Sequence, residues 1–481
     1  MANGTERTGI MPTNRTYDQI AVGDSATITR TCTANDLYVF AHVSGNTNPL
    51  HLPNTDWTGD GKIDPPFAPS MWIGALISAV LGNILPGPGT VYRTQSFAFY
   101  SRVNLDDHLT VTVKVLAKEA GRLVRLATTV TRTDGSPVAD GIAEVTAPDQ
   151  TIVFDSTDLP ALLIERHQHF DRLIAAAKTL PALATAVVAP DDANSLGGAL
   201  LAAREGLIRP ILIGARDRIL AAADQLGTSL ADGEILDIES EPEAAARAVA
   251  MVHEGTVGAI MKGHLHTDDL LHHIVKREGG LRTRRRISHI FVMDIPGRDT
   301  PVIISDAAIN IAPDLNTKVD IVQNAIDAGL AIGMKMPKVG ILSAIETVNP
   351  AIPSSLDAAI LSKMAERGQI TGGLVDGPLA MDNAIDVQAA RTKGITSLVA
   401  GHAEVLIVPN LESGNMLAKE LTFIAHAEAA GLVVGAKVPV MLTSRADDDR
   451  ARLASCALAL LYGHWKRTGS SAVPAPEEAA E

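Results

Sequence analysis

The spacing of hydrophobic and polar residues changes character near residue 150. Before that point, the run SMWIGALISAVLGNIL at 70–85 is hydrophobic almost all round, which predicts a buried helix. A Pro-Gly-Pro-Gly segment ends this run. Alternating runs typical of β-strands occur at 25–32, 90–100, 109–117, 123–132 and 138–147. One buried helix with an antiparallel sheet wrapped around it predicts an α+β domain.

From about residue 166, short apolar strands alternate with Ala-rich helices. TAVVAP, PILIG and GAIMKG are each followed by helical sequence. This alternation predicts an α/β domain with an open, largely parallel sheet, helices on both faces and two subdomains. Ligands of such sheets bind beyond the carboxyl ends of the strands, so polar residues that follow apolar runs are the functional candidates.

These patterns divide the chain of 481 residues, which is too long for one hydrophobic core. We predict a disordered leader at 1–15, an α+β domain at 16–150, a linker at 151–168, an α/β domain at 169–467 and a disordered tail at 468–481.

Composition narrows the classes of function. The chain has 41 basic and 55 acidic residues, a net charge of −14, and so lacks the positive surface that nucleic-acid binding requires. Its two cysteines, Cys32 and Cys456, lie far apart and outside any ligand spacing, which excludes a disulfide framework. Neither a secretory signal nor a run of eighteen apolar residues occurs, so we expect a cytoplasmic protein without a membrane span.

The stretch VPVMLTSRADDD carries the most specific candidate chemistry. An apolar run delivers Ser444 and Arg445 to a strand end, and Asp447, Asp448 and Asp449 follow before a helical pattern begins. Arginine presents a planar fork of donors and a helix N-terminus presents free N–H groups, both of which suit an oxyanion such as phosphate. Acidic residues at a helix start also stabilise the helix dipole, so each Asp has a structural alternative.

Six segments resemble the phosphate acyltransferases, the family of phosphotransacetylases and phosphotransbutyrylases. They are MKGHLHTDDLL, GGLRTRRRISHIFVMDIP, SDAAINIAPDLNTK, VDGPLAMDN, VAGHAEVLIVPNLESGN and LTSRADDD. The resemblance extends over about 170–465, and its motifs are more similar to those of the butyryl branch. It implies the reaction acyl-CoA plus phosphate giving acyl phosphate plus CoA, with the CoA thioester and phosphate as substrates and no further cofactor.

The resemblance also implies roles for the motif residues. Arg445 would clamp phosphate, and Ser444 would hydrogen-bond the sulfur or a phosphate oxygen. A carboxylate just beyond the arginine would take a proton from phosphate. The match leaves Asp447, Asp448 and Asp449 open for that role, and Asp449 is carried as the catalytic candidate.

Further strand-end residues are candidates for substrate binding. Lys262 and Thr267 suit an anion. Arg282 belongs to the only dense basic run, which suits the phosphates of CoA or is equally a solvated loop. The remaining candidates are Asp306 and Asn310, which orient substrate or cap a turn, Asp376 and Asn383, which follow ITGGLV at a strand end, and Asn415, close to a phosphate loop. No cluster completes a metal-ligand spacing, so no metal is predicted.

The segment FAHVSGNTNPLHLP at 40–53 resembles the MaoC-like (R)-specific enoyl-CoA hydratases, which have the hot-dog fold; the likeness continues over 76–111. In that family an Asp and a His activate a water that adds to an enoyl thioester. Asn46 stands at the Asp position, His51 matches the His, and Ser78 matches an active-site Ser on the central helix.

Two departures from the hydratase pattern bear on activity. An amide such as Asn46 orients a water but does not accept its proton near neutral pH. Pro69-Ser70 stands where the family has His-Gly, so Pro69 offers no N–H to the thioester. Either the domain hydrates weakly, or with another acid such as Asp56, or it is a thioester-binding or dimerising module without hydration chemistry. We favour the second interpretation.

The sequence therefore predicts a fusion of a hot-dog domain with a phosphate acetyl/butyryltransferase. A homo-oligomer is expected, because hot-dog domains usually pair across their sheets. Two alternatives stay open: a CoA-binding scaffold, and an NAD-dependent oxidoreductase of related α/β fold. The oxidoreductase requires a GxGxxG fingerprint after a strand, and the sequence has none.

Overall fold

The computed structural model describes residues 13–60, 62–153, 168–230, 235–442 and 449–474. The chain divides into two compact units, the first ending at Ile164 and the second beginning at Glu165. Within the described ranges, no helix is both long enough and apolar enough to cross a membrane.

The first unit is an antiparallel sheet with one long helix. Its strands are β1 (Ser25–Thr31), β2 (Val91–Gln95), β3 (Ala98–Phe99), β4 (His108–Glu119), β5 (Leu123–Arg132) and β6 (Pro137–Thr146). Its helices are α1 (Ala34–Ser44) and α2 (Ser70–Asn83), with 3-10 turns at Tyr17–Gln19, Pro49–His51 and Ala120–Arg122. The strand order is β1-β4-β5-β6-β2, and β3 also pairs with β6.

Helix α2 packs against this sheet, as the sequence predicts. Ile77 and Val80 are fully buried, and they belong to the same hydrophobic cluster as Val111 and Val113 of β4. The helix is not covered all round, however, because Met71 is 57% exposed and Ser78 is exposed as well.

The predicted strand at 90–100 is divided into β2 and β3. The break lies where the chain crosses β6 at Gly141, since a Cβ atom at Gly141 would lie 1.8 Å from the carbonyl oxygen of Ser96. Only glycine permits this approach of the two backbones. The Asp134-Gly135 turn between β5 and β6 is confirmed, with Gly135 at φ 84°.

The second unit is an α/β domain. Its strands are β7 (Leu183–Val188), β8 (Ile208–Gly214), β9 (Ile235–Asp237), β10 (Ala259–Lys262), β11 (Ser288–Asp294), β12 (Val302–Ser305), β13 (Lys338–Leu342), β14 (Leu374–Leu379), β15 (Val405–Ile407), β16 (Glu428–Val434) and β17 (Val440–Met441). Its helices are α3 (Gln168–Ala177), α4 (Ala193–Arg204), α5 (Arg216–Gln225), α6 (Glu241–His253), α7 (Thr267–Val275), α8 (Leu315–Ala331), α9 (Pro353–Glu366), α10 (Met381–Ile385), α11 (Val387–Thr392), α12 (Leu411–Phe423) and α13 (Asp449–Thr468).

These strands form one sheet in the order β14-β13-β15-β12-β11-β16-β17-β10-β7-β8-β9. Two parallel blocks, β17-β10-β7-β8-β9 and β12-β15-β13-β14, confirm the largely parallel sheet. Antiparallel pairings of β11 and β16 join the blocks, so the sheet is mixed. The blocks correspond to two halves, each covered by helices.

Candidate active site

The strand that leads into the Ser-Arg motif pairs with the strand that ends at Lys262. Ile260 lies beside Val440 and Met261 beside Met441 in a parallel pairing of β10 with β17. Parallel neighbours end at the same edge of a sheet. Residues 443–448, and with them Ser444, Arg445, Asp447 and Asp448, lie outside the described residues. Asp449 is the first residue of α13, where a carboxylate stabilises the helix dipole.

Lys262 is the last residue of β10 and is buried, with 6% of its surface exposed. Its ammonium group donates to the carbonyl oxygen of Gly263 at 3.1 Å. A buried ammonium group at a strand end suits an anion. Thr267 is the first residue of α7 and is half-buried. The two residues thus flank one short loop.

An acidic pair and a histidine lie at the same edge. Asp191, Asp192 and His264 have ligand-type atoms within 4.8 Å of one another, the only such group of three that the described residues contain. Protein contacts already satisfy both carboxylates. Arg218 lies 3.2 Å from Asp191, and Asp192 accepts hydrogen bonds at the start of α4. We therefore assign no metal to this group.

An open cavity of about 910 Å³ adjoins this group at the carboxyl ends of β8 and β9. Arg216 and Arg218 line it together with Asp237, Glu239 and Glu241. The sequence pattern did not single out these residues. The signal was the Arg-Asp-Arg that follows PILIG, in the position where α/β sheets bind ligands.

Asp306, Asn310 and Asn415 come together after β12. The Asp306 carboxylate is 2% exposed and accepts hydrogen bonds from the backbone N–H groups of 308, 309 and 310. It also accepts one from Asn310 Nδ2 at 2.5 Å. Asn415 Nδ2 lies 3.4 Å from the carbonyl oxygen of Ala307. Capping of the turn, the structural alternative for Asp306, is therefore present.

Gly414 allows α12 to approach this turn. A Cβ atom at position 414 would lie 2.8 Å from the carbonyl oxygen of Asp306 and 3.0 Å from Cα of Ala307. The helix starts with a capping box between Asn410 and Ser413. Its first turn therefore packs against the segment after β12.

His289 lies beside Asp306 and was not a sequence candidate. It is 2% exposed, and its Nδ1 has no hydrogen-bond partner among the described residues. Burial lowers its pKa to about 4, against the opposing effect of the Asp306 charge. Its only sequence signal was a histidine inside the apolar run ISHIFVM. The ring is thus neutral at pH 7.

Ile287, which directly follows Arg286 at the end of the basic run, contacts this turn. Asn310 Nδ2 donates to the carbonyl oxygen of Ile287 at 3.0 Å. Arg285 pairs with Asp327, and Arg282 is exposed in an isolated bridge with Ala436. The resemblance to the family favoured Arg282, whereas in the structure Ile287, after the last arginine of the run, contacts the Asp306 turn.

Asp376 and Asn383 were predicted to lie at the end of a strand, but the structure places them within a strand and within a helix. Asp376 is the third residue of β14, and so it lies inside the strand and not after it. Asn383 lies in α10 and is fully buried, and neither side-chain polar atom has a partner among the described residues. The apolar pattern ended too early because Asp376 interrupts a strand that continues to Leu379.

The candidate hydration residues of the first unit occupy a loop and a helix. His51 Nδ1 lies 2.8 Å from the carbonyl oxygen of Phe67, and a carbonyl can only accept, so Nδ1 carries the proton. The lone pair is then on Nε2. Asn46 Oδ1 accepts from the backbone N–H of Asn48 at 3.2 Å. Asp56, the alternative acid, accepts from the N–H of Gly59 at 2.6 Å within its own loop.

Both units match families of known proteins. A family model described as phosphate acetyl/butaryl transferase matches residues 242–460, and a model described as MaoC like domain matches 20–135. The chain is 57% identical to the phosphate acetyltransferase of Rhizobium meliloti over 303 residues, which cover 63% of this chain and 96% of that protein. The chain belongs to the phosphate acetyl/butyryltransferase family.

Two further relatives agree with this assignment. The phosphate butyryltransferase of Clostridium acetobutylicum is 39% identical, over 61% of this chain and 97% of that protein. The crystal structure of a branched-chain phosphotransacylase from Enterococcus faecalis V583 superposes with a TM-score of 0.51 at 29% identity, covering 59% of this chain and 99% of that one. Identity is higher to the acetyltransferase, so the expected closeness to the butyryl branch is not supported. Membership of this family favours a transferase over the oxidoreductase alternative.

Proposed function

We propose that the second unit transfers a short acyl group between CoA and inorganic phosphate. The observation that carries this proposal is the match along 96% of a phosphate acetyltransferase. The position of the Ser-Arg motif, directly after a strand that pairs with the strand ending at Lys262, supports it. Acyl-CoA and phosphate are the substrates, and the proposal includes no further cofactor.

The reaction needs charge neutralisation and positioning. Arg445 holds phosphate, because its planar fork matches two oxygens at once. Ser444 donates to the sulfur or to a phosphate oxygen, and Lys262 and Thr267 complete the anion site. Donors that meet the developing negative charge on the thioester oxygen supply much of the rate enhancement in reactions of this type.

The hot-dog unit binds a CoA thioester without hydrating it efficiently. Asn46 stands where the hydratase pattern has its acid, and loss of a general base costs about 100- to 10,000-fold. The orientation of His51 supports hydration as a second candidate activity, because its Nε2 keeps the lone pair that accepts a proton from water. Pairing of hot-dog units into a homo-oligomer and a cytoplasmic location belong to the same proposal.

Release of free thiol from acyl-CoA in the presence of phosphate tests the transferase. The full chain is incubated with acetyl-, butyryl- or isobutyryl-CoA, with and without phosphate, and thiol is followed by absorbance. We expect release that depends on phosphate. A folded protein that releases no thiol from any short acyl-CoA would rule the proposal out. Loss of crotonyl-CoA absorbance tests hydration separately.

A further inference from the structure

A cavity of about 370 Å³ opens at the amino ends of three neighbouring strands in the second unit. The strands are β12, β15 and β13, which lie side by side and run parallel. The lining includes Arg298 and Thr300 in the turn between β11 and β12, Lys338 at the start of β13, and His402 and Glu404 just before β15. Small-molecule sites have volumes of about 300–1,000 Å³, so the cavity is large enough for such a ligand.

Charges of both signs line this cavity without pairing. Arg298 and Lys338 are half-buried cations, and Asp299 and Glu404 are the carboxylates of the lining. Within the described part of the chain, neither cation forms an ion pair with any carboxylate. A cation that loses water without gaining an anionic partner is destabilised, so an anionic group of a ligand would bind here favourably.

Backbone hydrogen bonds fix the carboxylate of Glu404 beside the start of β13. Its Oε2 accepts from the N–H of Lys338 at 3.1 Å, and the N–H of Glu404 donates to the carbonyl oxygen of Lys338 at 2.9 Å. A carboxylate has about four acceptor positions, so one N–H leaves it able to accept from a ligand as well.

The other walls of the cavity are also held by the backbone. The N–H of Arg298 donates to the carbonyl oxygen of Ile295 at 3.2 Å, and Nε2 of the buried His169 donates to the carbonyl oxygen of Arg298 at 2.9 Å. Gly401 lies at φ 81°, where a Cβ atom would be 2.6 Å from Cα of Val387. The cavity is therefore formed before a ligand arrives, which lowers the cost of binding.

We propose that this cavity binds a small zwitterion, an α-amino acid with a polar side chain. The ligand carboxylate lies against the guanidinium fork of Arg298 and the ammonium group of Lys338. The ligand ammonium group donates to Glu404 and Asp299. The two cations and two carboxylates of the lining balance, so a ligand without net charge complements it better than an inorganic anion does.

This cavity is separate from the candidate substrate residues of the second unit. Asp306 directly follows the carboxyl end of β12, whereas the cavity lies at the amino end of that strand. The strand has four residues and therefore spans about 13 Å. No residue of the cavity has a role in the proposed transferase reaction, so the inference does not depend on that function.

Isothermal titration calorimetry of the full chain tests the proposal with L-glutamine and two analogues that each lack one charged group. Glutaramate lacks the ammonium group, and 4-aminobutanamide lacks the carboxylate. We expect L-glutamine to bind at least about tenfold more tightly than either analogue, because each analogue loses one charge-assisted contact. Equally tight binding of glutaramate would overturn the zwitterion and leave a simple anion site.

Arg298→Ala and Glu404→Gln test the two ends of the ligand separately. Each should weaken the binding of L-glutamine by about tenfold or more, and Arg298→Lys should retain part of the affinity. Lys419→Ala, at an exposed position in α12, is the matched control. Arg445→Ala should also bind L-glutamine like the wild type, because it changes only the proposed phosphate clamp.

Three results would overturn the inference. One is a folded wild-type chain that binds no L-glutamine, and another is binding that neither Arg298→Ala nor Glu404→Gln weakens. The third is loss of binding in Arg445→Ala, which would assign the ligand to the substrate site. Phosphate-dependent thiol release is measured separately, so failure of the proposed function would leave the glutamine result unaffected.

Discussion

The two units each hold a histidine through its Nδ1 atom, but they hold it with different partners. His51 donates to the backbone carbonyl of Phe67 at 2.8 Å, whereas His264 donates to the Asp191 carboxylate at 3.1 Å. Both contacts place the lone pair on Nε2. A carbonyl orients the ring, while a carboxylate also stabilises the charged imidazolium. A shared tautomer therefore does not give the two rings the same electrostatic surroundings.

The largest effect is expected from Arg445→Ala, which removes the phosphate clamp. Loss of the arginine from an arginine–phosphate contact costs about 2–5 kcal/mol, so kcat/KM for phosphate-dependent thiol release should fall by roughly 30-fold or more. Arg391→Ala, at an exposed position in α11, is the control and should keep the wild-type value. A variant at position 445 with more than half the wild-type kcat/KM would remove the clamp from the mechanism.

Asn46→Asp tests whether the first unit lacks only its base. We expect crotonyl-CoA hydration to rise by about 100-fold, because the aspartate can accept a proton from water beside His51. Asn46→Ala is the control and should show no gain. Wild-type hydration as fast as that of Asn46→Asp would contradict the binding role and would make the two units equal as catalysts.

Ile77→Ala tests the core that holds the hot-dog site. Ile77 is fully buried in α2, so the substitution should lower the free energy of unfolding by about 2–5 kcal/mol. Calorimetry would show this as a lower midpoint. Gly82→Ala in the same helix meets no atom within 4 Å and should stabilise by about 0.5–1 kcal/mol. If Ile77→Ala and Gly82→Ala shifted the midpoint of thermal unfolding in the same direction, the described packing of α2 would be contradicted.

The stability of the second unit should depend on His289. Its folded-state pKa of about 4 lies below the unfolded value of 6.5, so protonation favours the unfolded state. This contribution is fully present above pH 6.5 and is lost as the pH falls toward 4. Between pH 7 and pH 5 the loss should reach about 2 kcal/mol, measured by urea unfolding. His289→Gln should reduce this loss, while the exposed control His402→Gln should retain it.

The smallest effect is expected from thiol reagents. Burial raises the pKa of both Cys32 and Cys456 to about 12, so neither thiol is ionised near pH 8. The native protein should show no fast reaction with Ellman's reagent, and two thiols per chain should react in guanidinium. One fast native thiol would contradict the burial of that cysteine. Unreactive protein thiols would also help in comparing the two units, because slow release of CoA thiol could then be measured without a contribution from the protein.

The elements that depend on local pattern followed from the sequence. The apolar run at 70–85 became α2, and the alternating strands and helices after residue 166 became a largely parallel sheet. The family match confirmed the fusion of a MaoC-like domain with a phosphate acetyl/butyryltransferase. Periodicity reports which residues are buried, and these segments are long enough to report it clearly.

Features that depend on pairing between distant segments did not follow. The antiparallel insertion of β11 and β16 between the parallel blocks has no local signature, since both strands are simple apolar runs. The contact of Asp191 with His264 joins residues 73 positions apart, and it requires β7 to lie beside β10. The assignments of Ser444 and Arg445 remain predictions that the kinetics above can test.

Gly263 has a practical consequence for comparing and redesigning these enzymes. Any larger residue there would push the end of β10 away from β7, so the lysine before it and the histidine after it could not both keep their places. Homologues with glycine at this position can keep the same contact between β10 and β7. Homologues with a larger residue there need a different backbone path. Libraries aimed at new acyl chains should leave the codon of Gly263 untouched.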